Sequence, residues 1–480
     1  MTKRSDHDLD YPDIDEYDEK IRPQVEALIA GERRMLSERQ AAENQTDEEV
    51  CECRDGMFPG KSTTRRGFMA GAAAAAAAAP VAAHAAAPPG AMEFDVPADP
   101  TKVQGRLTND DGGYGSRSQF ETAVRWRFPT ATKESSWTMT PLDDSVGTVT
   151  PSGLHFERHH GGIPTINPAN HSLIIHGMVG KPKKYTMADI MRFPSVSRFH
   201  FIECSGNGLT EVKKSTLKTV QGTHGLTSTS EWTGVALSTL LREVGVQDGA
   251  AWVLAEGADA AVMTRSVPLD KAWGDAMVAY AQNGEALRPE QGYPLRLFLP
   301  GFEGNTHIKW LRRLEISDKP FMTREETSKY TDVVKGGKAR QFSFTMEAKS
   351  VITFPSGEMK LPGPGYYEIT GLAWSGRGRV AKVEVSTDGG KTWNLASLQG
   401  PIQPICHTRF RFPWVWDGNP AMIQSRCTDE TGYSQPTNAQ LNEARGLNGH
   451  PKFGYIYHWN GIQTWGIAAD GTVTNANQYT

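Results

Sequence analysis

One cysteine with open space around its sulfur is the residue of this chain best placed to do chemistry. Cys204 stands in the turn Glu203-Cys204-Ser205-Gly206-Asn207-Gly208, entered from the apolar-aromatic run Phe199-His200-Phe201-Ile202. A strand that delivers a lone thiol into a turn of small residues leaves room for something bulky at the sulfur. Of the other cysteines, Cys51 and Cys53 lie in an acidic leader, one residue apart and with no second pair nearby, which is not a metal-site pattern. Cys406 and Cys427 sit in a β-rich tail and read as free core thiols, because a chain folded in a reducing compartment does not need them paired. Three chemistries fit Cys204: a buried structural thiol, a nucleophile activated by His159, His160, His200 or His307, and a thiolate ligand to a soft metal. Spacing alone does not separate the last two.

The elements that must position this turn follow from the apolar pattern. From Leu154 to about Ser317, short apolar strands alternate with amphipathic stretches. Residues 173–179 alternate as a strand, and residues 237–244 repeat at helical spacing before Gly245. Residues 293–299 and 308–316 read as two further strands around Pro300-Gly301. After a charged connector near residues 323–340 the chain turns all-β. Residues 366–375 and 380–386 alternate, and Asp388-Gly389-Gly390 closes a hairpin. The expected fold class is α+β: a mixed α/β domain over residues 91–335, then an immunoglobulin-like sandwich over residues 341–480.

The amino terminus reads as an address. Thr64-Arg65-Arg66-Gly67-Phe68-Met69 precedes an alanine-rich tract that ends near a small-x-small site at Ala83-His84-Ala85, so residues 61–90 form a twin-arginine export signal. Alanine is too weakly apolar to hold this tract in lipid, and no membrane span is expected. That export route carries folded proteins to the periplasm, which favours a cofactor inserted beforehand. Residues 1–60 are strongly acidic and form either a disordered extension or an untranslated stretch upstream of Met57, the second being preferred. The rest of the chain is near neutral, against a formal charge of −4 overall, and offers no footprint for nucleic acid. No C-x-x-C-H haem motif occurs, so electrons must leave through another chain.

Five ordered segments carry a family resemblance. Phe156-Glu157-Arg158-His159-His160 with Pro164, Ile202-Glu203-Cys204-Ser205-Gly206-Asn207, Glu256-Gly257-Ala258-Asp259, Gly292-Tyr293-Pro294-Leu295-Arg296 and Gly304-Asn305-Thr306-His307-Ile308-Lys309-Trp310 resemble, in order, the pterin-binding loops of the sulfite oxidase family of molybdenum enzymes. Residues 371–376 and 388–393 resemble that family's C-terminal dimerisation domain. The resemblance implies a molybdenum–molybdopterin cofactor with the Cys204 thiolate as metal ligand. It implies binding roles for Phe156, Glu157, Arg158, His159, His160, Asp259, Gln291, Arg296, His307, Ile308 and Lys309. Arg296, Lys309 and Arg158 suit an anionic phosphate, and Asp259, His160 and His307 suit the pterin's amide and ring nitrogens. Tyr330 falls at the family's active-site tyrosine, Arg158 would steer an anionic substrate, and Arg445 resembles an arginine near the same site.

Departures from the family refine the expectation. Sulfite oxidases carry Asn-Arg-Arg after the cysteine loop, whereas here Asn207-Gly208-Leu209 stands, and a family histidine is replaced by Gln291. With residues 139–142 and 150–160, these changes resemble the sulfane dehydrogenase branch. That branch implies oxygen-atom transfer from water to a sulfane sulfur on a carrier protein's cysteine. It also implies electrons passing to a c-type dihaem cytochrome subunit and a dimer or heterotetramer built through the C-terminal domain. Free sulfite is the alternative substrate. A cysteine hydrolase, or a metal-free periplasmic binding protein, would account for fewer of these residues.

Overall fold

The computed structural model describes residues 117–118, 120–128, 134–212, 217–334, 338–445 and 458–477. The acidic leader, Cys51, Cys53, the twin-arginine segment and the first part of the expected 91–335 domain lie outside these residues.

The sheet that carries Cys204 is built on two long strands. Ser195–Glu203 pairs antiparallel with Thr227–Ala236 over its whole length, from Ser195 opposite Val235 to Glu203 opposite Thr227. Thr227–Ala236 pairs in turn with Met277–Gln282, which also pairs with Arg296–Phe298. Along Ser195–Glu203 exposure alternates at first, but the last four residues are all buried. The thiol is therefore delivered from a strand covered on both faces at its carboxyl end.

A second, mixed sheet has the order Lys183–Thr186, Ser172–Gly177, Leu311–Ser317, Trp252–Gly257, Thr264–Pro268, with one parallel pair between Ser172–Gly177 and Leu311–Ser317. The helix Leu237–Val244 buries Leu237, Leu240, Leu241 and Val244, the i, i+3, i+4, i+7 face expected of it, and ends at Gly245 with φ 68°. These side chains join Ile175, Val253, Val278, Leu297 and Leu314 in one core. The strand expected over 308–316 begins later, at Leu311, because Trp310 holds φ 53°, which no ladder residue adopts.

The carboxyl-terminal region is the expected sandwich. One sheet contains Lys349–Phe354, Gly365–Trp374, Thr408–Trp416 and Ser397–Leu398. The other contains Asn394–Leu395, Val380–Ser386, Ala421–Asp429, Thr464–Ile467 and Val473–Asn475. Trp374, Val383, Phe410, Ile423 and Trp465 fill the space between them. Asp388 closes the hairpin by accepting from the Lys391 and Thr392 backbone amides. Cys406 and Cys427 are free, and the Cys406 thiol donates to Phe199 O at 2.7 Å.

The sandwich also fastens the Cys204 turn. Lys349, wholly buried at the start of its strand, donates from Nζ to Glu203 Oε1 at 2.8 Å and to Asn207 O at 2.9 Å. Trp374 Nε1 donates to Glu203 Oε2 at 2.7 Å. Removing one partner of a buried ion pair leaves an uncompensated charge, whereas removing both is close to neutral. Lys349→Met is expected to cost about 3–5 kcal/mol in chemical unfolding, and Glu203→Gln with Lys349→Met to recover most of it.

Candidate active site

The turn after Ser195–Glu203 is locked by its own polar groups. Cys204 N donates to Leu226 O at 3.0 Å, and Asn207 Oδ1 accepts from Leu226 N at 3.0 Å. Asn207 Nδ2 donates to Glu203 Oε1 at 2.9 Å. Gly208 needs its φ of +81°, and a Cβ there would meet the Trp459 ring at 2.6 Å. Across the sulfur, a Cβ on Gly304 would lie 2.7 Å from Glu203 O, so only glycine lets the 304–306 turn come this close.

Cys204 opens onto a cleft with about 690 Å³ between its walls, mouth included. All the residues assigned a site role from the sequence motifs except Arg445 line it: Phe156, Glu157, Arg158, His159, His160, Cys204, Asp259, Gln291, Arg296, His307, Ile308, Lys309 and Tyr330. His155, Ile202, Met263, Gly304, Asn305 and Trp310 complete the wall, and the motif reading had not given them roles.

Arg296 and Lys309 put two buried positive charges into one wall. Arg296 donates to Gln291 O at 3.0 Å and His307 O at 3.3 Å, stacks over Trp232, and leaves its buried Nε without a hydrogen-bond partner. Lys309 Nζ donates to Arg158 O and Glu290 O, both at 3.0 Å, and lies 2.9 Å from His159 Nδ1. Burial, and next the Arg296 charge, push the Lys309 ammonium down to about 7. Neither cation bonds directly to a carboxylate. Two buried cations held by carbonyls and neutral side chains call for an anion in the cleft.

The histidines are not arranged as bases for a nucleophile. His159 is tied to Glu157 and Lys309. His160 Nε2 meets Tyr330 Oη at 3.3 Å. His200 stacks on Phe298 with ring centroids 5.9 Å apart. The His307 ring nitrogens face Leu299 N and Phe302 O, so this residue is a wall and not the free hydrogen-bonding group anticipated for the pterin. Burial pushes the Cys204 thiol up.

The remaining groups are held by second contacts. Arg158 NH1 donates to Ser135 Oγ at 3.2 Å and Ser136 O at 3.3 Å, with its guanidinium over the Trp137 ring. Asp259 Oδ1 accepts from Met263 N at 3.1 Å. Gln291 Nε2 donates to Phe156 O at 2.9 Å. Arg445 lines a second cleft with Arg340, Glu347 and Lys382 and is not among the residues lining the Cys204 cleft.

Among the described residues no group of three His, Cys, Asp or Glu is arranged to chelate an ion. A metal at Cys204 must therefore bring further donors with it, as a metal–pterin cofactor does. The orphaned Arg296 Nε, the two buried cations and the single open thiol fit such an anionic group.

The comparisons with known proteins agree. The family model described as "Oxidoreductase molybdopterin binding domain" matches residues 160–325, and that described as "Mo-co oxidoreductase dimerisation domain" matches residues 340–455. The crystal structure of the sulfane dehydrogenase SoxCD from Paracoccus pantotrophus is similar at 44% identity and a TM-score of 0.73, over 78% of this chain and 97% of that one. The chain belongs to the sulfite oxidase family of molybdenum oxidoreductases. Curated relatives include NADH nitrate reductases of Brassica napus, 33% identical over 304 residues, and of Ulva prolifera, 33% identical over 306 residues. These alignments cover 56% of this chain and 33% and 34% of those proteins, so the chain spans about a third of the length of the curated relatives it matches. As a member of this family the protein is a molybdenum-cofactor oxidoreductase. Among the described residues no helix is long and apolar enough to cross a membrane.

Proposed function

We propose that this protein oxidises the sulfane sulfur carried on a cysteine of another protein, after twin-arginine export to the periplasm, and passes the electrons to a c-type dihaem cytochrome subunit. The observation that carries this reading is the make-up of the thiol turn just after Asn207. Gly208 and Leu209 occupy the positions where sulfite oxidases carry arginines, and both pack against Trp459, Leu209 together with Val212 and Leu441. A pocket for a small dianion would want positive charge there. A protein-borne sulfur on a flexible arm wants access instead. The likeness to SoxCD along most of that chain supports the same choice.

The cofactor, when bound, supplies oxygen-atom transfer from water to sulfur and takes up two electrons. The chain supplies the rest. Cys204 would hold the metal through its thiolate, and the bonds from Leu226, Asn207, Glu203 and Lys349 fix the turn that presents it. Arg296 and Lys309 would hold the anionic end, and Asp259 and Gln291 would border the pterin. Tyr330 Oη, 3.3 Å from His160 Nε2, would donate a hydrogen bond to the sulfur substrate at the cleft. Arg158 adds a fixed positive field for an anionic sulfur. The sandwich is the surface through which a dimer or heterotetramer would form.

Substrate preference tests this reading. Purified enzyme with a c-type cytochrome acceptor should reduce it faster, per unit of kcat/KM, with a carrier-bound persulfide than with free sulfite. Rapid turnover of sulfite with none of the persulfide would replace the proposal by a periplasmic sulfite dehydrogenase.

A further inference from the structure

Arg265 lies directly behind the cleft wall, only 1% exposed, on the edge strand Thr264–Pro268. Its guanidinium carbon sits 4.9 Å from the centre of the Tyr330 ring. Its NH1 donates to Asn305 Oδ1. Asn305 Nδ2 in turn donates to Ser205 Oγ at 2.9 Å and to Glu303 Oε2 at 2.7 Å. Ser205 is the residue next to the thiol. One planar cation thus touches both the phenol on one side of the cleft and, through a single amide, the turn that presents Cys204 on the other.

We propose that Arg265 is a positioning residue that sets Tyr330 and the Cys204 turn in one mutual geometry. The chemistry favours arginine for this task. A guanidinium stacks on a ring through its face while donating in its plane, and an ammonium does only one of these well. The ion pair to Glu326 is long, 3.5 Å from Arg265 Nε to Oε1, and Nε has no hydrogen bond, so the residue is not held there chiefly to neutralise that carboxylate. Glu326 is satisfied separately by Ser266 and by the hydroxyl and amide of Thr323. The inference rests on the reading that Tyr330 acts at the substrate.

The test combines two measurements on Arg265→Met and Arg265→Lys. In cofactor-free protein, the rate of Cys204 alkylation by iodoacetamide is followed by mass spectrometry, which separates it from Cys406 and Cys427. Loosening the Asn305–Ser205 tether should raise that rate several-fold in Arg265→Met and less in Arg265→Lys. In cofactor-loaded enzyme of matched molybdenum content, Arg265→Met should lower kcat by about 10- to 100-fold, in the range expected when a supporting contact is lost. Added to Tyr330→Phe, it should lower kcat little further. Equal alkylation rates in all three proteins, or losses that multiply in the double variant, would overturn the inference. A slow Tyr330→Phe beside an Arg265→Met with parental kinetics sinks this inference alone. A parental Tyr330→Phe sinks the role given to Tyr330, and with it the claim that Arg265 acts through the phenol.

Discussion

Cys204→Ser is expected to leave a folded protein that still contains molybdenum and pterin but turns over more than about 100-fold slower than the parent, beyond the 10- to 100-fold typical of a lost supporting contact. The reason is the division of labour in the cleft. Arg296, Lys309, Asp259 and Gln291 line the same cleft and make no hydrogen bond to the thiol, so cofactor retention should persist. The turn itself is held by Leu226, Asn207, Glu203 and Lys349, none of which bonds through the thiol, so folding should persist as well. What disappears is the soft donor that tunes the metal. Molybdenum content by mass spectrometry, beside turnover per molybdenum, checks both halves.

The second large effect is acid lability. Burial holds His155 and His407 down to about 3, and His159 and His200 down to about 4, against the ordinary 6.5. All four side chains are buried in the fold. Above 6.5 these imidazoles are neutral whether the chain is folded or not, and they leave stability independent of pH. Below 6.5 the unfolded chain takes up protons that the folded one refuses, so stability falls until pH reaches the folded values. Each group contributes about 1.4 kcal/mol per pH unit in that window. Four together approach about 5.6 kcal/mol per unit, comparable with the whole stability of many domains. Denaturant midpoints should fall gently from pH 8 to 7, where the lowered Lys309 ammonium takes up its proton in the fold, and drop steeply from pH 6.5 to 5. Equal midpoints at pH 7 and 5 would show that these imidazoles are charged in the fold.

Much of the site was legible because the chemistry sits in short contiguous motifs. Glycine marks the turns at Gly208 and Gly304, where backbone or ring approaches too closely for a Cβ, and the apolar run before Cys204 announces the strand that delivers it. The helix 237–244 and the hairpin at Asp388 follow from local periodicity and turn chemistry, which need no tertiary information. The contacts that bind these motifs together were not legible. Lys349, in Ala348-Lys349-Ser350, reads as an ordinary outward-facing lysine, and only the folded chain brings it to Glu203, which lies 146 residues away. Arg265 and Asn305 are likewise polar residues in unremarkable settings until the sheet places them behind Tyr330 and beside Ser205. The role anticipated for Arg445 failed because motif similarity near the end of the chain does not specify which of two clefts a helix terminus faces. Trp310, with its positive φ, follows Lys309 directly, and its left-handed backbone could not be inferred from a β-prone sequence.

The central claim is that Cys204 binds the metal through sulfur. Its most direct test is the number of sulfur neighbours of molybdenum by X-ray absorption, measured on the cofactor-loaded parent and on Cys204→Ser. The account predicts one fewer sulfur neighbour in the variant at unchanged molybdenum content. An identical sulfur count in the two proteins would contradict it.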